Sequence, residues 1–270
     1  MPKKQPFISL TSDFSPGSEG VGVMKATIFK ICPSARVVDL SHGVRDFDIK
    51  QGAHVLETVS YLPIGIHIAV IDPGVGTKRL GIALQTNRGD VLIGPNNGVL
   101  LPASTVLGGI KKVAELSNQE YWQQPVSPIF HGRDIFCPVA AYLANGVNFA
   151  KLGKRLDQKN LTPAPYDLGK LTGETILGEI IQINKFGNLT INIGTDLLDQ
   201  TGISAGDTIQ IKIGGLKLEM PFGETFGDVN EGEPIAMKDE YGKMEIALNC
   251  QNFASKYQVS FGERVEIKKI

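Results

Sequence analysis

The sequence predicts an α/β N-terminal domain, with a mostly parallel sheet flanked by helices, followed by a small all-β barrel. Two patterns predict this arrangement. Short apolar runs alternate with segments of helical period in the first half, whereas short β-rich segments separated by Gly or Asn fill the second. The chain has 270 residues and is longer than a typical single domain of about 100–200 residues. We therefore expect two unequal domains.

Five strands are expected in the first half, where five short apolar runs are bounded by turn residues. Their sequences are PFISLTS, ARVVDLS, IHIAVID, LGIALQT and DVLIGP. Residues 22–31 and 48–62 carry apolar side chains at three- and four-residue spacing, which is typical of helices that cover a sheet. A last helix is expected at 134–144, with Asp134 as its N-cap and Pro138 near its first turn.

A linker separates the two halves. The segment LDQKNLTPAPYDLGKL mixes Pro, Asn and Asp with little periodicity, so the boundary is predicted near Pro165, between domains at 1–165 and 166–270. Beyond it lie seven β-rich segments with Gly or Asn turns between them, which favours the barrel. They are ETILGEIIQI, LTINI, DTIQIKIG, LKLEMP, PIAMKD, KMEIALN and RVEIKKI.

The composition excludes several classes of partner. A formal net charge of -1 provides no basic field for a phosphate backbone, so nucleic acid is not expected. Cys32, Cys137 and Cys250 lie far apart and outside any CxxC spacing, which favours reduced thiols. The N-terminal segment is too polar for a signal peptide, and the longest apolar run, 64–71, is far shorter than the ~20 residues of a membrane helix. We therefore predict a cytoplasmic protein without membrane contact.

Common cofactor motifs do not fit the sequence. Gly74-Val75-Gly76 suggests a dinucleotide loop, but Arg79 stands where the third glycine is needed and a strand follows in place of a helix. No GxxxxGK[ST] loop, HExxH or His-x-His is present, so phosphate-loop and zinc-hydrolase interpretations have no support, and no metal is expected.

Polar residues follow the predicted strands of the first half, where ligands of open parallel sheets bind. They are Asp13, Asp39, Ser41, Asp72, Asn96 and Asn97. Each aspartate alone can also be a helix cap or a turn residue. Asp72 and Arg79 can equally be an ion pair that braces the Gly-rich bend, and His131, in a loop before the last helix, can be an ordinary surface residue.

Seven segments in one order along nearly the whole chain resemble the S-adenosylmethionine hydrolases. This family, also called the SAM hydroxide adenosyltransferases, is related to the fluorinase and chlorinase. The segments are ISLTSDF, ICPSARVVDLSHGVRDFDIKQGA, VIDPGVGTKR, GPNNGVL, IFHGRD, KFGNLTINI, and TFGDVNEGEPIA with EIALN. The resemblance implies the α/β and β-barrel domains, a homotrimer with the active site between subunits, and hydrolysis of S-adenosylmethionine to adenosine and methionine without a cofactor.

The resemblance also implies a catalytic set of Asp72, Arg79 and His131, which is typical of the hydrolytic branch. The halogenating relatives have Tyr in place of Asp72 and an aromatic-Ser pair at the position of His131-Gly132. Gly132 therefore removes the serine that would hold halide, and hydroxide is the favoured nucleophile. Halide attack that yields a 5′-halo-adenosine, a non-catalytic adenosine-binding module and a purely structural protein are the alternatives.

Substrate contacts are implied by the same resemblance. Asp13 is expected to bind the ribose hydroxyls and Phe47 to cover the sugar, while Asn188 and Phe226 contact adenine together with backbone groups near Asn249 and Cys250. The relatives hold the methionine ammonium with an Asp where this chain has Asn184, and Glu240 is a possible replacement. We expect the triad to orient a water and stabilise hydroxide, with its proton acceptor left open.

Overall fold

The computed structural model describes residues 5–270, which divide after Pro165 into two compact units. Each unit has its own apolar core. Among the described residues, no helix combines the length and the apolar character needed to cross a bilayer. Within the same range, no group of three or more His, Cys, Asp and Glu side chains is arranged to hold a metal ion.

The first unit contains a six-stranded mixed sheet with the strand order β2-β1-β3-β5-β4-β6. Strands β2, β1, β3 and β5 are parallel, whereas β4 runs antiparallel to both of its neighbours. Five of these six strands therefore run in one direction and β4 runs in the other, so the sheet is mixed but mostly parallel. Its strands are β1 (Phe7–Ser12), β2 (Arg36–Ser41), β3 (Ile66–Val70), β4 (Gly81–Thr86), β5 (Val91–Pro95) and β6 (Ile110–Glu115).

Four helices accompany this sheet. They are α1 (Glu19–Ile31), α2 (Ile49–Glu57), α3 (Leu101–Val106) and α4 (Cys137–Ala144). Helix α1 packs with α4, and α2 packs with α3. The Ser18 and Asp48 side chains cap α1 and α2 by accepting backbone N–H bonds from Gly20 and Gln51. The predicted helix 48–62 ends early, because residues 58–61 tighten into a 3₁₀ turn.

The expected N-cap role of Asp134 is wrong. Residues Gly132–Phe136 form one π-helical turn that leads directly into α4. The wider turn places Asp134 inside the helical segment, where it is fully buried. Its carboxylate accepts hydrogen bonds from the Ser127 N–H (2.8 Å) and from Arg133 Nε (2.6 Å), so it holds the preceding loop against the π turn.

The second unit is a nearly closed antiparallel sheet with the order β11-β10-β14-β8-β9-β13-β12, and β7 pairs with β8. A bridge between Phe222 and Ala236 joins the two ends of this path. The nine-residue β8 pairs with β14 through its first half and with β9 through its second. The strands are β7 (Lys170–Thr172), β8 (Thr175–Ile183), β9 (Leu189–Gly194), β10 (Thr208–Ile213), β11 (Leu216–Pro221), β12 (Pro234–Lys238), β13 (Lys243–Leu248) and β14 (Arg264–Lys269).

This unit was predicted to be entirely β, but its described residues also form two short helices. They are α5 (Thr195–Thr201) and α6 (Phe253–Tyr257). Helix α6 begins where the Asn252 side chain accepts a hydrogen bond from the Ser255 N–H (2.7 Å), and it places the Phe253 ring in the barrel core. Local capping and one buried aromatic side chain thus stabilise a helix that is too short to show periodicity in the sequence.

Candidate active site

A cavity of about 200 Å³ lies beyond the carboxyl ends of β1 and β3 in the first unit. Four predicted site residues line it: Asp13, Phe47, Asp72 and His131. A further predicted residue, Arg79, is hydrogen-bonded to Asp72 and His131. The position agrees with the general location of ligand sites in α/β sheets. Its lining residues are Asp13, Phe14, Phe47, Val70, Asp72, Val75, Ile129, Phe130, His131 and Gly132.

A tight bend after β3 brings Asp72 and Arg79 together. The Val75 N–H donates to the Asp72 carbonyl (3.1 Å), which closes the first turn of the bend. Gly76 has a φ of +75°, and a Cβ there would lie 2.4 Å from the Pro128 carbonyl oxygen. The bend therefore touches the loop that carries His131, and this close approach requires glycine.

The Arg79 guanidinium is shared between a carboxylate and an imidazole. Its Nε donates to Asp72 Oδ1 (3.0 Å) and its Nη2 donates to Asp72 Oδ2, so the pair is bidentate. The same Nη2 lies 3.1 Å from His131 Nδ1. The Arg79 and Asp72 side chains are only 8% and 6% exposed, and the Phe136 ring lies under the guanidinium, 5.4 Å from its carbon. The predicted triad is therefore one hydrogen-bonded cluster.

Hydrogen-bond roles determine the protonation of this cluster. A guanidinium has only donors, so His131 Nδ1 accepts the bond from Arg79 and the ring proton is on Nε2. Burial, followed by the positive charge of Arg79, lowers the pKa of His131, which favours the same neutral ring. Burial also raises the pKa of Asp72, against the opposing effect of Arg79. At neutral pH the cluster holds a cation, an anion and a neutral imidazole.

Asp13 and Phe47 are joined across the mouth of the cavity. The Phe47 N–H donates to Asp13 Oδ2 (3.0 Å), and Phe47 has a left-handed φ of +63°. This backbone conformation is rare for a bulky residue. The Phe47 side chain is 70% exposed, so the loop presents a flat apolar ring to solvent beside a carboxylate.

Gly132 packs too closely to carry a side chain. A Cβ at this position would lie 2.9 Å from Val70 Cγ1 and 3.0 Å from Met24 Sδ. The π turn therefore rests directly on β3 and α1, and a serine at this position requires these neighbours to move.

Five apolar residues that line the cavity were missed by the sequence reasoning: Phe14, Val70, Val75, Ile129 and Phe130. Phe14 and Phe130 pack edge to face, with ring centroids 5.7 Å apart, and Ile129 is 78% exposed. Each of the five lies within three residues of a recognised polar residue, Asp13, Asp72 or His131. Proximity in sequence to these polar residues was therefore the signal that could have identified them.

Other polar residues at the strand ends have structural contacts. Asp39 pairs with Lys25 Nζ (2.5 Å) and lies 3.1 Å from His42 Nε2. The Asn97 amide donates to the Ile71 carbonyl (2.8 Å). The contacts of Asp39 and Asn97 therefore agree with the structural interpretation, in which polar residues at strand ends form ion pairs or stabilise turns.

A second cavity, of about 490 Å³, lies in the barrel unit. It brings together the four residues expected to contact adenine: Asn188, Phe226, Asn249 and Cys250. The sequence reasoning missed the five other lining residues, which are Lys185, Phe186, Leu248, Gln251 and Asn252. Lys185, Leu248 and Gln251 are immediate neighbours of recognised residues. Phe186 and Asn252 lie two residues from recognised ones, and Asn252 caps α6.

The two residues expected near the methionine ammonium lie elsewhere in this unit. Asn184 Oδ1 accepts hydrogen bonds from the Phe186 and Asn188 N–H groups (2.9 and 3.1 Å), so it shapes the loop that carries Asn188. Glu240 lies in the turn between β12 and β13. Of the described residues, those that line the two cavities do not include Asn184 or Glu240.

Comparisons with known proteins agree with this architecture. Residues 8–153 match the model of the SAM hydroxide adenosyltransferase N-terminal domain, and residues 178–266 match that of the C-terminal domain. A solved structure of an uncharacterized conserved protein from Thermotoga maritima superposes with a TM-score of 0.91 at 32% identity, over 97% of this chain and 99% of that chain.

Characterised relatives carry two names. An (R)-S-adenosyl-L-methionine hydrolase from Salinispora tropica is 35% identical over 97% of both chains, and one from Methanocaldococcus jannaschii is 31% identical over 96% of this chain and 95% of the relative. A fluorinase from Nocardia brasiliensis is 26% identical over 98% of this chain and 97% of the relative. With both domain models matched in order and full-length relatives above 30% identity, the chain belongs to the SAM hydroxide adenosyltransferase family.

Proposed function

We propose that this protein hydrolyses S-adenosyl-L-methionine to adenosine and L-methionine, by attack of water on C5′ at the cavity of the first unit. The observation that carries the proposal is the Arg79 guanidinium shared by Asp72 and a neutral His131 at the edge of that cavity. The relatives named as hydrolases of this substrate, which align over almost the whole chain, support it.

The chemistry needs help at the nucleophile. The sulfonium makes methionine a neutral leaving group: the water oxygen bonds to C5′, the electron pair of the C–S bond returns to sulfur, and no acid is needed. Water itself has a pKa of about 15.7 and is a poor nucleophile unless its proton is accepted and its developing charge is stabilised. The cluster supplies a fixed cation, Arg79, in a site with little solvent.

The hydrogen-bond pattern supports a division of roles within the cluster. His131 Nδ1 is occupied by Arg79, so the ring offers its Nε2–H to orient the water oxygen. Asp72 retains lone pairs beyond those that Arg79 uses, and burial raises its pKa, which makes it a stronger base than an ordinary aspartate. In this scheme the proton passes to Asp72, and Arg79 stabilises the hydroxide as it forms.

Substrate binding is proposed as the family resemblance implies. Asp13 accepts hydrogen bonds from the ribose hydroxyls, Phe47 covers the sugar, and the cavity lined by Asn188, Phe226, Asn249 and Cys250 receives adenine. For the methionine ammonium, Glu240 is proposed as the anionic partner, in place of the Asp that the relatives have where this chain has Asn184.

A homotrimer with the active site between subunits is part of the same proposal. Large exposed apolar side chains at the cavity rims support it, since Phe47, Ile129 and Phe186 are 62–78% exposed. Light scattering during size-exclusion chromatography measures the oligomeric state, and a monomeric active enzyme contradicts the proposed homotrimer.

A cytoplasmic location is also proposed. The free thiols of Cys32, Cys137 and Cys250 support it, since cytoplasmic proteins usually keep their cysteines reduced.

The decisive experiment is hydrolysis in ¹⁸O-labelled water. We expect label at the 5′-oxygen of adenosine, and an active enzyme whose adenosine lacks label contradicts direct attack at C5′. Epimerically pure sulfonium substrates extend the test, because the names of the relatives specify the (R) form, which we expect to be preferred.

Product analysis in chloride and calorimetry discriminate the alternative functions. A 5′-halo-adenosine formed only in the presence of chloride identifies halide as the nucleophile. Calorimetric binding of adenosine without release of methionine identifies a binding module.

A further inference from the structure

Glu245, the first residue of the family-like EIALN segment, has no role implied by the resemblance, yet it contacts the residue expected to bind adenine. Asn188 Nδ2 donates a hydrogen bond to Glu245 Oε1 (2.9 Å). Asn188 is 8% exposed and lines the cavity of the barrel unit. Glu245 lies on β13 between Met244 and Ile246, whose side chains fill the barrel core, so it is on the opposite, outer face of the strand.

The environment of Glu245 is unusual for a surface carboxyl group. Burial, and then the negative charges of Asp239 and Glu240 in the adjacent turn, raises its pKa to about 7. The hydrogen bond from Asn188 acts in the opposite direction and stabilises the carboxylate. The Glu245 carboxylate is thus half-buried, where its negative charge is disfavoured, and the hydrogen bond from the Asn188 amide partly offsets this effect.

This contact determines which way the Asn188 amide faces. A carboxylate only accepts hydrogen bonds, so the NH₂ end of the amide must point to Glu245. The amide keeps its Oδ1 and its second Nδ2 hydrogen for other partners. An amide with one acceptor and one donor matches the N6–H and N7 edge of adenine, whereas a 6-oxo purine offers two acceptors on that edge.

We propose that Glu245 is a positioning residue, which fixes the Asn188 amide and thereby makes the cavity select 6-amino over 6-oxo purine nucleosides. The inference rests on the proposed function, because it takes the barrel cavity as the place where adenine binds. It adds the origin of base selectivity, which the resemblance does not assign.

The test uses the full-length Glu245→Gln variant, which is isosteric but can present either an acceptor or a donor to Asn188. Adenosine and inosine are compared as competitive inhibitors of S-adenosylmethionine hydrolysis, at about pH 8.5, where the wild-type carboxyl group is mostly ionised. We expect the adenosine preference to fall about tenfold and KM for S-adenosylmethionine to rise, with a smaller change in kcat. Glu266→Gln, which removes an exposed carboxylate paired with Lys212, is the matched control and should leave the preference unchanged.

The possible outcomes separate this inference from the function on which it rests. A wild-type enzyme without adenosine preference, or a folded Glu245→Gln variant that retains the full preference, overturns the role of Glu245. Glu245→Ser should show the same loss if the glutamine variant does not fold. If Asn188→Ala binds adenosine as tightly as the wild type, adenine is not bound through this residue, and the proposed substrate-binding site itself is wrong.

Discussion

Replacing Arg79 with lysine keeps the positive charge but removes the geometry that joins Asp72, Arg79 and His131 in the proposed catalytic cluster. The guanidinium makes two hydrogen bonds to Asp72 and one to His131 from two different nitrogens. An ammonium group has one nitrogen and no planar fork, so it cannot maintain all three contacts. A charge-assisted hydrogen bond contributes about 1.5–3 kcal/mol. If one such bond of about 2.7 kcal/mol acts in the transition state, kcat falls about 100-fold.

Adenosine release at saturating S-adenosylmethionine measures this loss, and calorimetry should show nearly unchanged adenosine binding. Arg88→Lys is a matched control, because Arg88 forms a similar bidentate pair with Asp90 at the opposite end of the sheet. This control should lower the unfolding temperature without a comparable loss of turnover. A folded Arg79→Lys enzyme whose kcat stays within about threefold of the wild type would refute the reasoning.

Three further predictions concern the same cavity. Because turnover needs ionised Asp72 and neutral His131, protonation of either group as the pH is lowered should reduce kcat, and a pH–rate profile that stays flat on the acid side contradicts the assignment. Gly132→Ser should lose about 1–3 kcal/mol of stability in thermal denaturation, with partial recovery on adding Val70→Ala, and an unchanged unfolding temperature would disprove the steric argument. The same variant should still form adenosine in chloride, and 5′-chloro-adenosine detected by mass spectrometry would show that a serine at this position admits halide as the nucleophile. Asp13→Ala should raise the calorimetric Kd for adenosine about tenfold or more by removing charge-assisted hydrogen bonds to ribose, and an unchanged Kd excludes that role.

The regular strands were predictable because each is a short apolar run between turn residues. Strand β6 was missed, since Lys111 and Lys112 interrupt its apolar pattern, and α3 was missed because six residues are too few for a helical period. The π turn at 132–136 was not predictable from apolar spacing, which continues through it. Its first residue, Gly132, lies against Val70 and Met24, which is a tertiary contact that apolar spacing does not encode.

The polar residues of the hydrogen-bonded cluster were predictable, but their electrostatic state was not. Family-like segments placed Asp72, Arg79 and His131 in one site, whereas the neutral tautomer of His131 follows only from its 3.1 Å contact with Arg79. The role of Glu245 was not predictable for a different reason, although the residue begins the family-like EIALN segment. A charged residue between two apolar ones on a strand is the normal pattern of a solvent-facing position, and only the fold shows that Asn188 lies beside it.

The π turn makes the site sensitive to chain length. His131 immediately precedes Gly132–Phe136, and α4 follows without a break, so the imidazole and the helix are connected through one widened turn. Deleting a single residue there would restore ordinary α-helical winding and rotate everything before it by about 100° around the helix axis. Homologues that gain or lose one residue at this point should therefore have lost the imidazole–guanidinium contact, even where every residue of the cluster is still encoded.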